Sequence, residues 1–103
     1  MEIEKVAQEG KVIYKIKGRI DTQTSPDLQA KLDESFDAGE NNLVLDFSEV
    51  EYLSSAGLRT TLYVQKKVNN IEGASLVIIK VTPAVMEIFD MTGFTEFLTL
   101  EAI

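Results

Sequence analysis

The sequence predicts a small α/β fold in one domain spanning 1–103. The expected architecture is a mixed central sheet, with an N-terminal antiparallel pair and a parallel centre, covered by helices. Three observations carry this prediction. The opening residues alternate with a period of two, which is strand patterning. Two short continuous apolar runs, Leu43–Leu45 and Leu76–Ile79, read as central strands covered on both faces. Between and after them stand segments with helical spacing, each announced by a start signal. Strands alternating with helices imply parallel pairing and right-handed crossovers.

Residues 2–8 alternate loosely and end at Glu9-Gly10, a hairpin turn pair. Beyond it Val12, Tyr14, Ile16 and Ile20 fall on one face, with Lys15, Lys17 and Arg19 on the other. The polar loop Asp21–Thr24 leads to Ser25-Pro26, which reads as an N-cap followed by proline in the first helical position. Leu28, Leu32 and Phe36 then recur at i, i+4 and i+8, and Gly39 supplies the stop.

After Leu43–Leu45, the stretch Asp46–Leu53 reads as a loop, with Asp46 tying it down. A helix starts at Ser54-Ser55 and places Gly57, Thr61, Val64 and Val68 on one side, until Asn69-Asn70 and Gly73 break the pattern. Thr82-Pro83 repeats the cap-and-proline signal ahead of Val85, Ile88 and Phe89. The tail from Phe94 is either a last short strand or an edge segment. The order is therefore ββαβαβα plus a short C-terminal element.

Composition narrows the function classes. At 103 residues there is room for one core. A formal charge of −7 argues against direct binding to nucleic acid or an anionic membrane, both of which need basic surface. There is no cysteine and no histidine. That removes disulfides, thiolate metal sites and the commonest general base near neutral pH. No cofactor is expected, and an enzyme is disfavoured. No apolar run is long enough to span a bilayer, and Met1–Lys5 lacks the features of a signal peptide. The expectation is a cytoplasmic protein.

Ligands of open α/β sheets lie beyond the carboxyl ends of the parallel strands. The loops after Ile20 and Leu45 leave such ends, so Asp21, Thr22, Thr24, Ser54 and Ser55 are expected along one edge. From spacing alone, Ser54 or Ser55 caps a helix, Asp21 is a turn residue and Gly57 permits close packing. A hydrolase elbow fails here, because it wants glycines flanking the serine and a histidine base. A phosphate-binding loop fails too, for want of a glycine run and a lysine. What survives is a serine modified by another protein.

The run V-L-D-F-S-E-V-E-Y-L-S-S-A-G-L-R (44–59) resembles the signature of the STAS domain family, which includes anti-sigma factor antagonists. Gly18-Arg19-Ile20-Asp21 resembles the family's G-x-[IL]-D. The third-helix region is matched by Val81–Val85 with Phe89–Phe94. The resemblance implies the STAS fold and a phosphoacceptor at Ser55, two positions before the motif glycine, with Ser54 as second candidate. Ser54 stands where a common form of the motif has aspartate, and Ala56 where it has a second hydroxyl residue. The partner-binding residues it implies are Asp21, Thr22, Thr24, Ser54, Ser55, Ala56, Gly57 and Arg59. Its implied partners are an anti-sigma factor with serine kinase activity and a PP2C-type phosphatase, which would bring their own ATP and metal. A second expectation is a constitutive, non-phosphorylated STAS subunit of a larger stress-signalling or lipid-transport complex.

Overall fold

In the computed structural model, which describes residues Met1–Ile103, the alternating N-terminal segment forms an antiparallel ribbon. Strands β1 (Glu2–Gln8) and β2 (Lys11–Ile20) pair from Glu2 opposite Lys17 to Gln8 opposite Lys11, around the Glu9-Gly10 turn. Strands β3 (Asn42–Leu53), β4 (Ser75–Val81) and β5 (Leu100–Ala102) then add in parallel, giving the sheet order β1-β2-β3-β4-β5. Helices α1 (Ser25–Asp37), α2 (Ser55–Asn69) and α3 (Pro83–Thr92) connect the parallel strands. A 3-10 turn at Phe94–Glu96 precedes β5. The open choice about the tail is thus settled in favour of a strand, and the order is ββαβαβαβ.

The strand order decides where the core lies. Each crossover steps one strand further in the same direction, so right-handed crossovers put all three helices on one face. Burial follows. Leu43, Leu45, Phe47 and Ile78 are fully buried, whereas Val44, Val77 and Ile79 between them are only half-buried. The expectation of two covered faces is corrected here. The second face carries a register-aligned row, Val6–Ile13–Val44–Val77, with no helix over it. Neighbouring branched side chains in such a row shield one another across the strands, and that accounts for a continuous apolar run on a sheet covered once.

On the covered face, Phe89 of α3 stacks on Phe47 with ring centroids 6.3 Å apart. Tyr14, fully buried, hydrogen-bonds through its hydroxyl to Ser35 and to the Lys31 carbonyl, fastening α1 to β2. Helix α1 stops where Gly39 predicts, with Ala38 as its cap and Gly39 at φ +81°.

Two local expectations are corrected. The segment Asp46–Leu53 is the second half of β3 rather than a loop. Its buried apolar residues Phe47, Val50 and Leu53 are spaced by three, so no period of two is visible in the sequence. Register shifts between Lys15 and Lys17 and between Gly18 and Arg19 explain that spacing, because a bulge adds residues to one strand and re-aims the side chains that follow. Gly18, on β2 beside the second shift, has φ +104°, a conformation that favours glycine. At α1 the cap residue is Thr24, and Ser25 is already helical.

Candidate functional site

The carboxyl ends of β2, β3 and β4 reach the same edge of the sheet and hand over there to α1, α2 and α3. The first two ends are joined directly, since the Ser54 N–H donates to the Ile20 carbonyl at 2.9 Å. The expected residues after Ile20 and at the start of α2 therefore share one edge, but the second junction is the single residue Ser54 after β3 rather than a loop after Leu45.

In the loop after β2, polar groups bond to one another. The Asp21 carboxylate accepts from the Gln23 and Thr24 N–H groups at 3.0 and 3.1 Å. The Thr24 hydroxyl accepts from the Asp21 N–H at 2.9 Å and donates to the Arg19 carbonyl at 2.8 Å. Ser25, 5% exposed, donates its hydroxyl to the Asp21 carbonyl at 2.6 Å. The bond from the Thr24 N–H is the main reason the Asp21 carboxyl lies below its ordinary range. Partial desolvation opposes it, and the Gln23 N–H, the Thr24 hydroxyl and the Arg19 charge reinforce it.

The start of α2 is built differently. Ser54 is extended (φ −83°, ψ 175°), and its Oγ accepts from the Gly57 N–H at 3.3 Å, so Ser54 is the cap. Ser55 is the first helical residue. It is exposed, and its hydroxyl takes no part in the hydrogen-bond network. Gly57 is buried. A Cβ there would lie 2.6 Å from Leu53 Cδ1 and 2.9 Å from both Ile20 Cγ2 and the Ile20 carbonyl oxygen. The bare backbone lets the helix start lie directly on the two strand ends.

One turn beyond Ser55 is Arg59, also exposed. With Ala56 and Tyr63 it lines one wall of an open groove of about 610 Å³, whose other wall includes Thr22, Pro26 and Ala30. Of the eight expected contact residues, Thr22, Ser55, Ala56 and Arg59 present surface. Ser54, Asp21 and Thr24 are engaged in local bonds, and Gly57 serves by close approach.

Two features, one at this edge and one farther along α2, escaped the sequence reading. Arg19 lies over the ring of Tyr52, 4.5 Å from its centroid, because β3 continues to Leu53 and pairs the two residues. Asp33 of α1 accepts from Lys67 at 2.9 Å and from the Tyr63 hydroxyl at 3.3 Å, bridging the two helices. The spacing of 59, 63 and 67 is the signal that marks this face of α2.

Asp46, read as tying its own loop, accepts from the Ser48 N–H at 2.9 Å within β3 and lies 3.8 Å from Lys80. Burial there works against ionisation, but the Ser48 bonds and the charges of Lys80 and Lys15 outweigh it and hold the carboxyl below its ordinary range. No group of three or more acidic, histidine or cysteine side chains is placed to hold a metal. No helix is long and apolar enough to cross a membrane.

Comparison with known proteins agrees with this architecture. A family model for the STAS domain matches residues 2–102. BtrV of Bordetella bronchiseptica, which carries the name of an anti-sigma factor antagonist, is 36% identical over 86 residues, 84% of this chain and 73% of that protein. The crystal structure of an anti-sigma factor antagonist from Mycobacterium paratuberculosis superposes with a TM-score of 0.88 at 22% identity, covering 99% of this chain and 86% of that one. The anti-sigma factor antagonist SpoIIAA of Bacillus, in its unphosphorylated form, gives 0.81 at 13% identity, covering 99% and 89%. These two likenesses show the fold.

Proposed function

The chain belongs to the STAS domain family, among its anti-sigma factor antagonists, and from that premise we propose that it binds an anti-sigma factor through the start of α2 and is switched off by phosphorylation of Ser55. As a member of that family it is a non-enzymatic regulator. The observation that carries the switch is the state of the two serines. Ser54 caps the helix, and Ser55 offers an exposed hydroxyl committed to nothing else.

In this reading the partner is an anti-sigma factor that is also a serine kinase, and the two meet in the cytoplasm. The γ-phosphoryl group of kinase-bound ATP passes to Ser55 Oγ, ADP leaves, and the hydroxyl proton is taken up by the kinase or solvent. The phosphate adds about −1.5 to −2 charges to a chain already at −7. At the head of α2 the dipole contributes only about 0.3–1 kcal/mol, so the fold stays as it is. The interface does not, because a neutral hydroxyl becomes a dianion that the complex must desolvate without a partner charge. Each ~1.4 kcal/mol of that cost is tenfold in affinity. A PP2C-type phosphatase restores the binding form.

The test is a binding titration against the co-purified partner. Ser55→Ala is expected to bind and to resist modification, and Ser55→Asp to bind at least about tenfold more weakly. Equal affinity of Ser55→Asp and the unmodified protein would sink the switch. Mass mapping of protein from growing, stressed and stationary cells gives the second readout. Phosphate on Ser54 would move the acceptor by one residue. No phosphate in any condition, with a fixed set of co-purifying subunits, would mark a constitutive subunit of a larger complex.

A further inference from the structure

Arg59 stands four residues after Ser55 on the exposed side of α2. Residues so spaced have Cβ atoms roughly 5–6 Å apart. Helical side chains lean towards the N-terminus, over the preceding turn. The long Arg59 side chain is thereby within reach of whatever Ser55 carries.

This cation is also uncommitted. The four ion pairs of the molecule engage Lys5, Lys31, Lys67 and Lys80, and the one other arginine, Arg19, lies over Tyr52. No carboxylate competes from α2 itself, since Ser55–Leu62 contains none. Asp33, the one acid lining the groove, is taken by Lys67 and Tyr63. Arg59 is moreover the only cation lining the α1–α2 groove.

We propose that a phosphate on Ser55 is clasped in cis by the Arg59 guanidinium, which draws that cation away from the α1–α2 groove. The inference rests on Ser55 as the acceptor. A guanidinium offers a fork of N–H donors that fits phosphate oxygens two at a time, which a lysine cannot do. Modification then changes two things together. It places a dianion at the helix start, and it strips the groove of the group that an acidic side chain of a docked partner would need.

The experiment uses the full chain with phosphoserine incorporated at position 55 during translation, so it needs no kinase. Titration by 31P NMR reads the second ionisation of the phosphate, ordinarily near about 6. The unsubstituted background is expected to show that pKa lower than Arg59→Gln by about 0.3 units or more, with Arg59→Lys in between. The Arg59 Nε resonance should move on phosphate ionisation. Equal phosphate pKa values in the unsubstituted and Arg59→Gln proteins, both with unchanged circular dichroism, would overturn the clasp and leave the switch standing. Absence of Ser55 phosphate in cells would sink the switch and leave this titration as it is.

Discussion

Three helices begin on one edge of the sheet, each at a hydroxyl-bearing residue, and the starts of α1 and α2 make the instructive pair. At α1, Thr24 and Ser25 both turn inwards, bonding to the backbone of Arg19 and Asp21. At α2 the roles are divided. Ser54 caps, and Ser55 is left on the surface. The third start, Thr82, caps and is followed at once by Pro83, so no second hydroxyl arises. The same residue types at the same kind of junction thus give a rigid turn in one place and a free acceptor in another. What separates them is which bonds the loop behind them demands. Asp21 organises a turn that consumes hydroxyls, and Leu53 runs straight from strand into cap.

The largest effect expected at this edge comes from filling the space under α2. Gly57→Ala gains helix propensity of about 1 kcal/mol but forces a methyl against Leu53 and the Ile20 backbone. A net loss of about 1–2 kcal/mol should appear in urea denaturation. An unchanged midpoint would mean that α2 can lift off the strand ends, and the contrast between the two starts would blur.

A graded series across the hydroxyls is next. Ser25→Ala should cost about 1 kcal/mol through its lost buried bond. Ser54→Ala should cost about 0.5–1 kcal/mol through its lost cap, and Ser55→Ala should stay within about 0.5 kcal/mol of the parent. Equal losses at Ser25 and Ser55 would break the comparison.

The smallest effect is one of pH. Because the folded pKa of Asp21 is depressed below 3.8, its contribution is present above that value and is lost as pH falls through the lower, folded pKa. Amide shifts of Gln23 and Thr24 should follow that titration, while those of Ser54–Gly57, where no acid sits, should not. A shared titration would show the two loops to be electrostatically coupled.

Much of this was readable in advance. Element order, the hairpin, the Gly39 stop and the Thr82 cap follow from local chemistry, and the run 44–59 pointed to the family. Four things were not readable, each for a physical reason. The spacing of Phe47, Val50 and Leu53 reflects extra residues that β3 carries against β2 at two register shifts, and these interrupt the period of two by which a strand is read. Coverage of one face depends on strand order, which no local run encodes. Whether Ser54 or Ser55 caps is a matter of one residue's backbone angle, φ −83° and ψ 175° at Ser54, and both serines satisfy the same preference. The groove lined by Arg59 is a property of two helices together, and only half of it was visible in either.

The neighbour-by-neighbour strand order has a bearing on how the protein is made. Each strand docks beside the one synthesised just before it, so the sheet can grow at a single edge as the chain leaves the ribosome. No strand has to wait for a distant partner or be inserted between two already paired, and loop closures stay short. β2 and β3 can therefore bring Ile20 and Leu53 together, with the bond from the Ser54 N–H to Ile20, before β4 exists. The platform beneath Ser55 is laid before β4 is made, and the later elements complete the cover.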